Sequence, residues 1–366
     1  MGRGRDADLR QPRKSPYVAR VAADQHTIGS VNGPQAAGRR FPRLARIREH
    51  QWSPVERTAL IAALAIVMGS LFVTTYSLAL GDPVPHRVEA VIVGDPAAHA
   101  ATVDAVQGVA QDSLDFRPSS SVPAALHALD EQQAYAALDV TALRPTLYLS
   151  SAAGASVARL LEGVRVVDPR VQVVDTHPLE PHDPNGLDIF YLMLVATIVG
   201  FITVFQVQAQ AGALELRHTV AFVLGLAVTA ALVFTFVDGP LLDRLQLPFL
   251  ETWGILSLHI VAVASFATLM VFLVGRWAIL PSWLFFVVLG NSSSGGAVAP
   301  PLLPRPFAVI SQWLPSGATV DSLRNAVYFH DYQHVQPIAV LATWATAFFV
   351  AAAFVGHRRR AGLGRR

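Results

Sequence analysis

The 366-residue chain contains no cysteine, and one of its 28 basic residues, Lys14, is a lysine. The first absence excludes disulfides, thiolate-bound zinc, iron–sulfur clusters and a thiol nucleophile, and leaves the redox compartment open. The second excludes a phosphate loop of the form G-x-x-x-x-G-K-[ST], so any ATP hydrolysis must come from another chain. Charge is scarce as well. Charged residues make up 15% of the chain against 52% hydrophobic, with a mean hydropathy of +0.42. A soluble chain of this length carries more charge, so the expectation is a multispan membrane protein. Neither a nucleophile–base pair nor a G-x-S-x-G elbow is visible. The chain is therefore read as a non-enzyme with no cofactor and no nucleic-acid partner.

Residues 1–57 are polar, contain Pro and Gly, and hold twelve of the basic residues. They read as a mostly disordered tail. Within it Phe41, Leu44 and Ile47 recur among Arg43, Arg46 and Arg48, which fits either an interfacial helix over 41–52 or an ordinary juxtamembrane tail. Residues 58–80 form the first span, too long and too far into the chain for a signal peptide. Spans over 189–207, 218–236, 253–274 and 337–355 follow, and a short apolar segment over 278–289 makes six. With the N-terminus inside, 19 of the 28 basic residues fall on inner segments, so both termini, including the basic tail 356–366, are expected in the cytoplasm of a cell with this protein in its plasma membrane.

The gap over 81–188 is then extracytoplasmic. Strands over 88–93, 134–138, 146–149 and 171–174 alternate with helices over 96–111, 122–129 and 155–161, predicting a compact α/β domain. The expected fold is thus an α-helical polytopic membrane protein of six spans in a 1+5 arrangement, with a small α/β domain inserted between spans one and two.

The stretch over 284–329 organises the rest. Its apolar helix of about a dozen residues covers roughly 18 Å, short of a hydrocarbon core of about 30 Å. It runs into Gly290, Asn291, Ser292, Ser293, Ser294, Gly295 and Gly296. Non-helical backbone at that depth must face protein or water, which predicts a broken helix. The alternative is a helix ending at Gly290 before a flexible external loop. A Pro-rich outer segment over 291–334 follows. The candidate pathway and gating residues are these seven with Pro315, Arg324 and the intramembrane His259. Arg324 reads as an interface anchor or as a partner of Asp321 or Asp331. The three serines read as groups that satisfy freed carbonyls, and Ala196 with Gly200 as a small-xxx-small helix contact. His177 and His182, in the string Asp175, His177, Glu180, His182, Asp183, are weak metal candidates, as are His330, Asp331 and His334; no metal site is assigned.

This pattern resembles the type-2 ABC transporter permease class, and within it the phage-infection-protein (Pip-like) branch and its actinobacterial relatives. The matching residues are 290–296, Pro300, Pro301, Leu303, Pro304, Phe307, Ile310, Trp313, Leu314, Pro315, Gly317, Ala318, Leu323, Arg324, Tyr328 and Phe329. In the insert they are Asp130, 134–138, 150–155, Asp175, Pro178, Leu179, Pro181, Asp183 and Pro184. The resemblance implies a homodimeric permease half in the bilayer, a separate ATPase subunit and export of a hydrophobic or amphipathic compound or an envelope component. The inner loop over 208–217 is short for docking such a subunit. The alternative is a non-transporting envelope scaffold whose outer domain binds a partner.

Overall fold

The computed structural model describes residues 53–81, 83–211 and 215–363. The helix expected over 41–52 lies outside the described residues. α1 (Pro54–Leu80) carries no charge beyond Arg57 and is long and apolar enough to cross a membrane. Only 6% of its most apolar window is buried, so most of its surface suits lipid.

The α/β domain follows. Its strands are β1 (Val88–Val93), β2 (Leu114–Ser119), β3 (Ala136–Asp139), β4 (Thr146–Leu149) and β5 (Gln172–Asp175), ordered β2-β1-β3-β4-β5. β1 runs parallel to β2 and β3, β3 and β4 are antiparallel, and β4 and β5 are parallel. The two-residue period of a strand assigns the faces. Val88, Ala90, Ile92, Ala136, Leu138, Leu147 and Leu149 pack on one side with α2 (Ala100–Val109) and α4 (Ala155–Glu162). Val91, Val93 and Ala137 pack on the other with α3 (Val122–Asp130), which Ser121 caps through the Ala124 N–H at 3.3 Å. The short helix α5 (Val164–Val167) leads into β5. Apolar residues on both faces explain why the central strands are legible as continuous apolar runs. β2 carries none of that signal. Its sequence, LDFRPS, contains a proline, which is tolerated because β2 lies at the sheet edge.

The remaining helices are α6 (Asp188–Ala211), α7 (Leu216–Phe236), α8 (Phe249–Val274), α9 (Ile279–Trp283), α10 (Arg305–Ser311), α11 (Pro315–Tyr328) and α12 (Val335–Leu363). Among the described residues five helices are long and apolar enough to cross a membrane, α1, α6, α7, α8 and α12, and Ile279–Asn291 is a shorter apolar one. α6, α7, α11 and α12 all pack on α8. Ala196 is fully buried, and a Cβ on Gly200 would sit 2.8 Å from the Val263 side chain, so this small-residue pair seats α6 against α8.

Within the segment over 291–334, residues 315–328 form the helix α11, lodged against α6, α8 and α12 with most residues buried. Pro315 at its first position starts the helix, and Ser316, Gly317, Ala318 and Thr319 bury small volumes that produce no hydrophobic run. Composition therefore hid a core element.

Candidate functional site at the helix break

α9 passes directly into a π-helix over Leu284–Asn291, whose wide turns are uncommon and concentrate at functional sites. Beyond it the Ser292 hydroxyl donates to the Val288 carbonyl. Ser293 donates to Leu289 at 2.6 Å and Ser294 to Asn291 at 2.9 Å. The serines therefore take up carbonyls that the broken helix frees. Asn291, Ser292, Ser293 and Ser294 are at most 2% exposed, so this tract lies inside the bundle and is not a flexible external loop. Gly295 turns the chain at φ +72°, and a Cβ on Gly296 would meet the Phe190 ring of α6 at 2.8 Å.

Arg324 closes the turn from α11. It donates to the Gly295 carbonyl at 3.0 Å and to Asp321 at 2.9 Å, with its side chain 12% exposed. Of the partners expected for it, Asp321 is the one found, and the Gly295 carbonyl is an addition no spacing rule contains. An interface anchor would be more exposed than this.

His259 is fully buried on α8. Its Nε2 lies 2.8 Å from the Thr197 hydroxyl of α6 and its Nδ1 2.8 Å from the Thr319 hydroxyl of α11. Those hydroxyls also reach the carbonyls of Met193 at 2.9 Å and Pro315 at 2.7 Å. The neutral ring supplies one N–H and each hydroxyl one proton, so three protons serve four contacts. His259 thus ties three helices together beside the break.

Next to it, the Ser316 hydroxyl and both amide atoms of Asn291 are buried and make no hydrogen bond among the described residues. A Cβ on Gly290 would lie 2.6 Å from the Ser316 hydroxyl, which places that hydroxyl against the end of the π-helix. No protein-family model, curated protein or solved structure matches this chain.

From the break, the chain enters the α/β domain. Val298, Ala299, Leu302 and Leu303 belong to the same buried cluster as β1, β3 and β4. The Ala299 N–H donates to the Ser156 hydroxyl at 2.9 Å, and the His86 N–H donates to the Pro301 carbonyl at 2.7 Å. On the return, Gln132 donates to Asn325 of α11 at 2.8 Å, and the Phe329 ring lies 4.8 Å from that of His177. Ser151, Gly154, Gly295, Gly296, Arg324 and Tyr328 line a cavity of about 20 Å³ at this junction, room for one water-sized group. Burial pushes the Tyr135 and Tyr328 phenols at the junction up to about 12.

The weak metal candidates take other partners. His177 faces Asp130 at 3.4 Å, and His182 donates to the Asp243 carbonyl at 2.7 Å. Asp183 accepts from the N–H groups of Leu187 and Asp188 at the start of α6. His330 donates to the Ala326 carbonyl and His334 to that of Glu131. Among the described residues no group of three or more His, Cys, Asp or Glu is arranged to hold a metal. Thr197, Thr319 and Ser316 escaped the sequence reading. For Ser316 and Thr319 the available signal was a run of small and hydroxyl residues after a helix-starting proline; Thr197, within the apolar run of α6, offered none.

Proposed function

We propose that this chain is a membrane permease subunit of the type-2 ABC kind, exporting a hydrophobic or amphipathic compound or a cell-envelope component. In this reading the short segment over Ile279–Asn291 is the fifth of six membrane segments, both termini are cytoplasmic and the α/β domain lies outside. Two copies pair, and a separate ATPase docks on the inner side. The observation that carries the reading is the path of the chain through the break. The turn at Gly295 leads from the π-helix into a segment built into the core of the domain, and that segment returns as α11 against three spanning helices. A motion of either part is transmitted to the turn, as a gate requires. Discontinuous helices of this kind are where transporters place their binding and moving parts.

The test is affinity purification of the full chain in mild detergent, mass spectrometry of what accompanies it, and ATPase assay with and without Gly295→Leu. A stoichiometric ATPase whose activity drops in the variant, with insertion intact, supports the reading. A fully active variant, or no ATPase partner, removes it. The scaffold alternative draws on one further observation. Leu143 on the β3–β4 hairpin, with Val166 and Val167 of α5, is exposed at the sheet end away from α1 and α6. Recovery of an outer partner whose binding is lost in Leu143→Asp favours that alternative.

A further inference from the structure

The first turn of α11 is buried, and its Ser316 hydroxyl lies against Gly290 at the end of the π-helix. Leu314 precedes it without a side-chain cap, and Pro315 contributes no N–H. A helix N-terminus carries about half a positive charge, and here it is enclosed. The second observation is independent of the dipole. The Ser316 hydroxyl is 0% exposed and the Asn291 amide 2% exposed, and none of their polar atoms finds a hydrogen-bond partner among the described residues. Buried amides and hydroxyls are nearly always hydrogen-bonded, so three such atoms at one place call for a ligand group.

The character of that group follows from its surroundings. Asn291, Ser316 and the first-turn N–H groups offer more donors than acceptors. The nearest acid along α11 is Asp321, which is taken by Arg324. The phenol of Tyr76 on α1 lies beside the Asn291 amide, adding one more hydroxyl. An anionic oxygen fits this set, and a cation does not.

The approach to the site is apolar. Phe72 stacks on Tyr76 at 4.0 Å and stands 6.5 Å from the Trp283 ring of α9. Further along α1, Ile61, Ile66, Val67 and Val73 are exposed, as are Ile279 and Leu284 on the short helix. A ligand reaching Asn291 from the side thus lays an apolar chain along α1 and the short helix with its polar end inward.

We propose that the N-terminus of α11, with Asn291, Ser316 and Tyr76, binds the anionic head, carboxylate or phosphate, of an amphiphile with an apolar chain. This deepens the permease reading, on which the identification of that amphiphile as cargo rests. The probes are laurate, dodecyl phosphate and dodecanol, titrated by calorimetry against the full chain in phosphatidylcholine nanodiscs. Laurate and dodecyl phosphate are expected to bind saturably, with dodecanol weaker by about tenfold or more. Whichever of the two anions binds tighter identifies the headgroup.

Ser316→Ala and Asn291→Ala should each weaken laurate binding by about tenfold, while Ser316→Ala leaves Tm unchanged or raises it. A structural hydroxyl would instead lower Tm on removal. Equal affinity for all three probes, or unaltered laurate binding in Ser316→Ala, overturns the site. Laurate flux from proteoliposomes is measured separately. Binding that Ser316→Ala abolishes, without flux in either protein, supports the site and sinks the permease reading; flux indifferent to Ser316→Ala does the reverse.

Discussion

At the scale of residues, the His259 arrangement makes a prediction that separates a hydrogen-bond network from packing. In Thr319→Val the ring Nδ1 loses its hydroxyl inside the bundle, at a cost of about 1–3 kcal/mol. In His259→Leu both threonines keep their backbone carbonyls, so the loss is mainly one of shape. Thr319→Val should therefore cost about 1 kcal/mol less in the His259→Leu background than in the native chain, as read from unfolding in detergent. Additive losses would show that the three side chains do not act together. His259 itself was legible as an ionisable residue inside an apolar run, but its partners lie 62 and 60 residues away along the chain. No local spacing joins them.

The junction tyrosines give a pH dependence. An unfolded tyrosine ionises near pH 10, and both Tyr135 and Tyr328 are pushed up to about 12 by burial. The unfolded chain therefore releases these protons first. Their contribution to stability is complete below pH 10 and is lost as pH rises through about 12. Tyr135→Phe and Tyr328→Phe should each flatten the alkaline fall in Tm, and phenolate absorbance should show two late-titrating groups. Ordinary titration of both phenols in the folded protein would contradict their burial.

At the scale of elements, glycines discriminate tight seams from open surfaces. A Cβ on Gly317 would fall 2.0 Å from the Ser311 carbonyl, which is backbone and cannot swing aside. Gly317→Ala is expected to cost about 1–3 kcal/mol or more and to displace α10 from α11. Gly254 on α8 and Gly225 on α7 have nothing within 4 Å of the same position. Alanine there should be neutral or gain up to about 1 kcal/mol of helix propensity. Thermal unfolding of the three variants side by side checks the contrast, and a loss at Gly254 equal to that at Gly317 would defeat it. The same contrast explains what the sequence made visible. The five long apolar helices announce themselves by their runs, and the central strands by runs buried on both faces. α11 did neither, because it is buried through small and hydroxyl-bearing residues whose fit depends on neighbours contributed by α6 and α8. β2 stayed hidden because an edge strand tolerates Asp115, Arg117 and Pro118.

At the scale of the whole molecule, the question is whether the α/β domain and the segment beyond the break move as one body. Val298, Ala299, Leu302 and Leu303 are as much part of the domain core as the strands they touch, so separating them would expose apolar surface at about 25 cal/mol per Å². The absence of cysteine makes this directly testable, since an introduced pair supplies the only thiols. A Cβ on Gly154 would lie 3.0 Å from the Ala299 Cβ, short of the usual disulfide separation of about 3.5–4.5 Å by an amount a small backbone shift covers. Gly154→Cys with Ala299→Cys should therefore oxidise readily in the full chain. The bridge closes a long loop and is expected to raise stability by about 2–4 kcal/mol. If the two parts form one body, the oxidised protein keeps the ATPase coupling or flux of its reduced form. Should the domain instead release the segment during each cycle, oxidation would arrest activity and reduction would restore it. Failure of the bridge to form would mean that Ala299 does not sit on the start of α4. The contact of Ala299 with α4 would then not couple the domain to the helix break.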